Sequence, residues 1–375
     1  MDALEKLRGA YLDRERAARA VHESGGKVVG YFSHNVPVEL IVAAGMFPVR
    51  LTGSPDDVTE LGDRYMEEFH DGEIRSIFDR MLRGRFNFAD LIIVPRTSES
   101  FLQLYYYLLE VRRWEPAKPF PELYLFDLLQ APGETVARYV RGRFDHLRAK
   151  LGSLAERPID DQALLAALHA VNENRTRLDG VNWLRRSNPP ALSGSDMLRI
   201  IGASGFLARE FHSACLDELL EGADALAPLA GARLMVKGSP HDNDGFYRLV
   251  ESSGAVIVAD DHTSGERTFE PLISENGDPV AALTDHYHRH SSSPRSYPQK
   301  EQDRRFIELI EAARVQGVIF YHEEWDDVLG WDYPAQKKLL DARGIPSAFL
   351  KMQSYRTPDR AAQRDAVLSL VGMIA

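Results

Sequence analysis

The chain has 375 residues, of which 44% are hydrophobic and 27% charged, a composition that excludes disordered and collagen-like proteins. A single hydrophobic core stops growing at about 250–300 residues, so this length predicts at least two domains. The 45 basic and 56 acidic side chains give a net charge of −11, which repels polyanions, and the sequence shows no local basic patch for nucleic acid.

The amino-terminal half reads as a leading helix followed by alternating strands and helices. An amphipathic helix is predicted over residues 2–22. Continuously apolar runs predict strands at 27–33, 90–97 and 122–128. Helical patterns lie between them, most clearly at 38–45 and 101–114. Residues 1–132 are therefore predicted to form a first α/β domain with a leading helix.

The rest of the chain is predicted to contain a helical region followed by a second α/β region. Residues 133–228 lack strand-like runs and are predicted to form a helical region, with helices at 161–174 and 197–220. Strand patterns return in a second α/β domain, 229–375, at 232–237, 255–261, 317–322 and 346–352. The predicted fold is α/β, with two Rossmann-like parallel-sheet domains and a helical middle layer. Ligands bind outside the carboxyl ends of parallel strands, so we expect a site in an interdomain cleft.

Cysteine content and hydropathy predict a cytoplasmic protein. Charges recur every few residues over residues 1–20, unlike a signal peptide, and no run of about 18 apolar residues suggests a membrane span. The single cysteine, Cys215, cannot form a disulfide within the chain or build an all-cysteine metal cage. It lies in a helical pattern, where we expect a buried apolar residue rather than a nucleophile.

Common catalytic motifs are absent. Neither GxGxxG nor GxxxxGK[ST] occurs, and the segment GASG at 202–205 is one residue short of a GxSxG nucleophile elbow. The segment HEEWD at 322–326 starts like HExxH but ends in aspartate, so a zincin is not predicted. In HYHRH at 286–290 only the outer two histidines would share a helix face, and we expect a solvated helix end rather than a metal site.

A family resemblance covers nearly the whole chain. Residues 30–51, GYFSHNVPVELIVAAGMFPVRL, resemble the opening motif of the 2-hydroxyacyl-CoA dehydratase family, which also contains subunits of ATP-dependent benzoyl-CoA reductase. The resemblance continues through GSPHDNDGFYRLVESSGAVIVADD at 238–261, RRFIELIEAARVQGVIFY at 304–321 and GIPSAFL at 344–350. It implies paired α/β domains, a heterodimer of homologous subunits, and a [4Fe–4S] cluster that three cysteines hold in the cleft.

The three cysteine positions implied by the resemblance carry other residues here. They fall on Asp71, Ser98 and the vicinity of Asp326. Because cluster iron needs strong anionic ligands, usually thiolates, we expect these replacements to remove the cluster site. We therefore predict no cofactor and no metal in this chain, with a [4Fe–4S] cluster in a homologous partner subunit. The resemblance also implies an acyl-CoA ligand and an ATP-dependent electron-transfer activator as a further partner.

Polar residues, mostly at predicted strand ends, are the candidate site residues. The candidate catalytic residues are His70, Asp71, Ser98, His322 and Asp326. The candidate substrate-binding residues are Glu73, Arg75, Arg96, Glu99, His262 and Glu323. We expect a hydrated, polar interdomain pocket, with the two catalytic histidines as proton carriers because the unperturbed pKa of imidazole lies near neutrality.

Simpler explanations and three functions stay open at this point. Ser98 would equally cap the helix that follows it, and the acidic run 322–327 would equally be a solvated loop. The functions are a cluster-free subunit of an acyl-CoA dehydratase or reductase, a repurposed cleft with metal-assisted or acid/base lyase or hydratase chemistry, and a non-catalytic binding or scaffold protein. The first predicts that Asp71, Ser98 and Asp326 converge and that an apolar face persists for a partner subunit.

Overall fold

A computed structural model describes residues 2–67, 69–269, 271–289, 293 and 298–374. In this part of the chain, two separate four-stranded sheets form, and every strand pair is parallel. The first sheet, in the order β2-β1-β3-β4, contains β1 (Val28–Tyr31), β2 (Phe47–Arg50), β3 (Leu91–Pro95) and β4 (Glu122–Phe126). The second, in the order β6-β5-β7-β8, contains β5 (Ala232–Gly238), β6 (Ala255–Asp261), β7 (Gly317–Glu323) and β8 (Ser347–Gln353). The predicted α/β fold with two Rossmann-like sheets is confirmed, and both sheets share one strand order.

Helices occupy the connections. Those before the second sheet are α1 (Ala3–Leu12), α2 (Arg16–Glu23), α3 (Val38–Ala43), α4 (Gly72–Leu82), α5 (Glu99–Trp114), α6 (Glu134–Leu154), α7 (Asp161–Arg186), α8 (Gly194–Ala203) and α9 (Arg209–Glu221). Those after its first strand are α10 (Gly245–Glu251), α11 (Pro279–Arg289), α12 (Gln299–Ala312), α13 (Asp327–Gly330), α14 (Tyr333–Asp341) and α15 (Arg360–Ile374). Residues 133–228 are all described and contain helices but no strand. Among the described residues, no helix has the length and apolarity needed to cross a membrane.

Two predicted helices are interrupted, and one strand was not predicted. The leading helix stops at Leu12 and resumes at Arg16. The helix predicted over 197–220 is two helices, α8 and α9, and between them the carbonyl of Gly205 accepts the N–H of Arg50 at 2.8 Å. Arg50 ends β2, the strand that was not predicted. Its short run contains a proline, and β2 lies at the edge of its sheet, where a missing donor is tolerated.

Helices cover both faces of each sheet. One face of the first sheet packs on α3, α6, α7 and α11, and the other on α4 and α5. The second sheet packs on α10 and α15 on one face and on α12 and α14 on the other. Helix α11 follows the second sheet's first two strands in the chain, yet Val280, Leu283 and Tyr287 belong to the core of the first sheet.

The long helix α7 joins the two sheets through buried ion pairs. Near its middle, Arg175 donates to Glu39 of α3 at 2.7 Å. Near its end, Arg185 donates to Asp260 of β6 at 2.6 Å and to Glu266 at 2.7 Å, and all three side chains are fully buried. Buried charges persist only when paired and hydrogen-bonded, so these contacts fix both sheets to the same helix.

Candidate functional site

Five carboxyl side chains, Asp71, Glu73, Asp242, Glu323 and Asp326, interact in the cleft between the two sheets, and we call them the carboxyl cluster. The first two lie at the start of α4, which follows the first sheet's β2. The other three follow or end strands β5 and β7 of the second sheet. The carboxyl ends of parallel strands meet at one edge of a sheet, and this rule explains why residues so distant in sequence come together here.

Burial and mutual repulsion hold protons on two members of the carboxyl cluster. Burial raises the pKa of Glu73 to about 8, and the charges of Asp242 and Asp71 act in the same direction. Burial also raises the pKa of Glu323 well above its usual range, with Glu73 and Asp242 as the strongest neighbouring charges. A carboxyl group with a pKa of about 8, such as that of Glu73, is mostly protonated at neutral pH and can therefore donate a proton.

Hydroxyl groups complete the hydrogen bonding of the cluster. The Tyr355 hydroxyl, just after β8, donates to Asp242 Oδ2 at 2.5 Å. Ser239 Oγ donates to Asp326 Oδ2 at 2.7 Å and accepts the N–H of Glu323 at 3.0 Å. Burial, followed by the charge of Asp242, raises the pKa of Tyr355 well above its usual range, so this phenol acts as a hydrogen-bond donor.

A polar pocket of about 140 Å³ opens beside the carboxyl cluster. Its lining includes His70, Arg75, Glu323 and Tyr355. His70 Nε2 lies 3.4 Å from the Tyr107 hydroxyl. Arg75 donates to Asp63 Oδ1 at 2.6 Å. The volume admits several water molecules among these polar groups, so the pocket can hold water beside the carboxyl cluster.

Three predicted site residues lie instead at the carboxyl end of β3. Ser98 Oγ accepts the N–H of Phe101 at 3.4 Å and caps α5. Arg96 lies 3.3 Å from Glu99 and 3.6 Å from Asp127 in exposed ion pairs. Ser98, Arg96 and Glu99 do not line the pocket beside the carboxyl cluster. Their roles in catalysis or substrate binding stay predictions.

The two histidines of the second sheet lie in packed surroundings. The His322 ring packs edge-on against Phe349 at 5.0 Å and is not among the residues that line the pocket. His262 is fully buried, with Nε2 2.7 Å from the Tyr247 hydroxyl, and burial lowers its pKa. In this conformation a substrate cannot touch the His262 ring, so a direct binding role would require the surrounding side chains to move.

Sequence analysis missed Asp242 and Tyr355. Both follow strands of the second sheet, β5 and β8. The rule that selected the ends of β6 and β7 applies equally to β5 and β8, so that signal was present. Neither residue type stands out in its local sequence, because aspartate and tyrosine are also common in loops.

The side chains at the three family cysteine positions do not fit an iron–sulfur cluster. All three offer oxygen rather than sulfur, the Ser98 hydroxyl caps a helix, and Asp326 accepts a hydrogen bond from Ser239. Cys215 is 2% exposed in the core around α9, as expected, and burial raises its pKa. Within the described ranges, no group of three His, Cys, Asp or Glu residues is arranged to hold a metal ion.

The HYHRH segment is only partly described. His286 and His288 lie in α11, and His288 Nε2 is 2.9 Å from the Ala131 carbonyl oxygen. Tyr287, between them, is buried against the first sheet. His290 lies outside the described residues.

Comparison with known proteins identifies the family. The family model for the 2-hydroxyglutaryl-CoA dehydratase D-component matches residues 34–366. One of the benzoyl-CoA reductase subunits of Thauera aromatica is 28% identical over 85% of this chain and 84% of its own length. The (R)-phenyllactyl-CoA dehydratase beta subunit of Clostridium sporogenes is 20% identical over 92% of both chains. The beta subunit of (R)-2-hydroxyglutaryl-CoA dehydratase from Acidaminococcus fermentans is 22% identical over 86% of both. The chain, with one cysteine in its whole length, therefore belongs to the 2-hydroxyglutaryl-CoA dehydratase D-component family as a member without the cluster cysteines.

Proposed function

We propose that this chain is the cluster-free subunit of a cytoplasmic heterodimer that acts on an acyl-CoA thioester, of the dehydratase or benzoyl-CoA reductase type. One observation carries the proposal: the family match spans residues 34–366, yet the chain has a single cysteine, Cys215, and the positions that the resemblance assigns to the cluster cysteines carry oxygen side chains. The relatives named above are subunits of dehydratases and of a reductase. In this proposal a homologous, cysteine-bearing partner holds the [4Fe–4S] cluster, and an ATP-dependent activator supplies its electrons.

The carboxyl cluster gives this subunit a chemical role in the complex. Elimination of water from a hydroxyacyl group requires a proton for the leaving hydroxyl, and reduction of an acyl ring requires protons as well. Burial and neighbouring charges raise the pKa of Glu73 to about 8 and shift the pKa of Glu323 in the same direction, so both favour the proton-bearing form. The pocket beside them, lined by His70, connects these carboxyl groups to polar surroundings. We assign to this chain the delivery of protons rather than electrons.

An exposed apolar segment next to the pocket offers a surface for the partner subunit. Trp325, Val328 and Trp331 lie in and around α13, immediately after the strand that ends in Glu323. Their side chains are 53%, 55% and 83% exposed. Large aromatic residues dominate the binding energy of protein interfaces, so a partner would bury this segment and close the pocket from one side.

The proposal is tested by analysing the chain with and without a cysteine-bearing relative. We expect the chain purified alone to lack stoichiometric iron and acid-labile sulfide, and the co-expressed pair to co-purify with both. Iron and sulfide bound to the isolated chain would contradict the cluster-free assignment. Failure to recover any cysteine-bearing relative, from cells or by co-expression, would contradict the heterodimer.

The carboxyl cluster also favours a second function, in which the isolated chain performs acid/base lyase or hydratase chemistry. Glu323, whose pKa is raised well above its usual range, would act as the acid, and Asp326 or Asp71 would act as the base. Hydration or dehydration of an acyl-CoA by the isolated chain, abolished in Glu323→Gln, would establish this function and displace the first. Activity that appears only with the cluster-bearing partner would exclude it.

A further inference from the structure

A second pocket lies on the side of β1 that faces α7 and the segment between α8 and α9. Its volume is about 100 Å³, smaller than the 300 Å³ or so at which drug-sized ligand sites begin. It lies at the carboxyl end of β1, next to Tyr31 and Ser33, where parallel sheets bind ligands. Four arginines line it, namely Arg50, Arg175, Arg209 and Arg267, and we call it the arginine pocket.

The arginine pocket has no acidic residue among its described lining residues. Two of its arginines are neutralised from outside the cavity. Arg175 pairs with Glu39 at 2.7 Å. Arg267 pairs with Asp261 at 2.5 Å, but the same carboxylate also binds Lys237 at 2.6 Å. The carboxylates that pair with these two arginines therefore do not line the cavity.

Arg209 and Arg50 differ from the other two arginines because, among the described residues, their only carboxylate neighbours act at a distance, Glu39 on Arg209 and Glu73 on Arg50. Arg209 is 9% exposed, and neither arginine forms an ion pair with any described residue. Arg209 donates to the Ser204 carbonyl through Nη1, while its Nε has no hydrogen-bond partner. The buried Nε of Arg50 likewise lacks one. Burial lowers the pKa of Arg209, and the charge of Arg175 lowers it further.

The backbone at Gly205 leaves room for the Arg50 side chain. A Cβ atom on Gly205 would lie 3.0 Å from Arg50 Cβ and 3.4 Å from its Nε, so glycine leaves the space that the Arg50 side chain occupies. The Gly205 carbonyl also accepts the Arg50 N–H at 2.8 Å. A buried guanidinium without a direct ion pair is unfavourable, and a bound anion would remove that cost.

We propose that the arginine pocket binds a small oxyanion, a carboxylate or phosphate group, through the guanidinium groups of Arg209 and Arg50. Guanidinium groups match carboxylate and phosphate oxygens with paired hydrogen bonds. The volume suits a few heavy atoms, either a free small anion or the charged end of a larger ligand. Val36, Val38 and Leu178 provide an apolar wall for an attached carbon chain. The proposal does not rest on the proposed function, because the isolated chain carries the whole pocket.

The test measures the thermal unfolding midpoint and calorimetric binding of the purified full chain with acetate, inorganic phosphate and coenzyme A. Sodium chloride at equal ionic strength serves as the salt control. The variants are Arg209→Gln and Arg50→Gln. Arg113→Gln, which removes an exposed arginine on α5, is the matched control. We expect saturable stabilisation of the wild type and of Arg113→Gln, and dissociation constants at least about tenfold weaker in the two pocket variants.

Without an anion, Arg209→Gln should unfold at a higher temperature than the wild type, because it removes a buried charge that has no direct ion pair. If Arg209 served only to stabilise the fold, Arg209→Gln would instead unfold at a lower temperature than the wild type. If Arg209→Gln does not fold, the comparison of Arg50→Gln with Arg113→Gln decides the question. Acetate binding without phosphate binding would identify a carboxylate ligand. Binding of both phosphate and coenzyme A would identify a phosphate ligand. No saturable effect beyond sodium chloride, or equal effects in all variants, would overturn the proposal.

Discussion

At the scale of single residues, the cleft contains carboxyl groups where the resemblance implies iron-binding cysteines. Thiolates bind iron and remain ionised, whereas the carboxyl groups collected here repel one another and bind protons. Burial raises the pKa of Glu73 to about 8, and its interactions with the Asp242 and Asp71 carboxyl groups act in the same direction. A neutral or apolar side chain would occupy the same volume without that cost, so we interpret the retained carboxyl groups as functional.

The raised pKa of Glu73 predicts how stability depends on pH. Between its usual value of 4.5 and about 8, the folded protein keeps a proton that the unfolded chain has released. The free energy of unfolding therefore falls as pH rises through this window. Between pH 5 and pH 8, the free energy of unfolding measured in urea should fall by about 1–2 kcal/mol less in Glu73→Gln than in the wild type. The exposed control Glu99→Gln should leave it unchanged, and an equal loss in all three proteins would contradict the assignment.

Gly238, at the end of β5, should tolerate no side chain. Its φ is +131°, and a Cβ atom would lie 2.1 Å from the Tyr321 carbonyl oxygen of β7. Gly238→Ala should therefore lower the free energy of unfolding by about 3–4 kcal/mol in denaturant titrations. In contrast, Gly142→Ala in α6, where no other atom lies within 4 Å, should raise it by about 0.5–1 kcal/mol. Similar effects of both changes would show that the strand ends are less tightly packed than described.

Sequence reasoning selected the cleft but not all of its chemistry. Asp71, Glu73, Glu323 and Asp326 were predicted site residues, and they interact in the structure. The raised pKa values could not be predicted, because they depend on burial and on charges from other elements. His322 was selected for its usual pKa, yet its ring packs against Phe349, a contact that only the folded sheet creates.

At the scale of elements, α7 is the main connection between the two sheets. Its sequence is only weakly amphipathic, because polar residues that contact each sheet interrupt the apolar face. Arg175 reaches the first sheet's α3 and Arg185 reaches β6 of the second. The sequence predicted a shorter helix, 161–174, that ended before either of these arginines. A pattern method counts a buried arginine as a surface residue, so it shortened the helix at the point where its structural role begins.

Removal of one charge from this helix should be costly. Arg185→Ala leaves Asp260 and Glu266 buried with less positive charge, and should lower the free energy of unfolding by about 3–5 kcal/mol. Arg177→Ala, on the same helix, removes partly exposed pairs with Asp217 and Glu173 and should cost about 1 kcal/mol or less. Chemical denaturation of both variants at neutral pH measures the difference. Equal losses in the free energy of unfolding would mean that the buried Arg185 ion pairs contribute no more to stability than the partly exposed Arg177 ion pairs.

At the scale of the whole molecule, strand patterns predicted the architecture well. Of the eight strands in the described part of the chain, seven were predicted within a few residues, since continuous apolar runs mark buried parallel strands. The sequence did not predict which sheet each helix packs against when the two are distant in the chain. Helix α11 lies within the predicted second domain, 229–375, but packs with the first sheet, and no local pattern encodes that choice.

The exposed tryptophans beside the pocket predict how the molecule associates. Trp331 is 83% exposed, so Trp331→Glu should change the free energy of unfolding by less than about 0.5 kcal/mol. The same change should weaken binding of a cysteine-bearing partner by tenfold or more, measured by sedimentation or by recovery from co-expression. Trp114→Glu alters a tryptophan that is 72% exposed at the end of α5 and is the matched control. Equal recovery with both variants would place the interface elsewhere.

The position of α11 has a consequence for how the protein is made. Tyr287 donates to the Val36 carbonyl and to Glu39, groups that leave the ribosome about 250 residues earlier. Until α11 emerges, the first sheet has apolar surface and a buried acidic group without their final cover. The amino-terminal half therefore cannot finish folding before β5 and β6 have been synthesised, and the nascent chain presents its unfinished core to chaperones and proteases for most of translation.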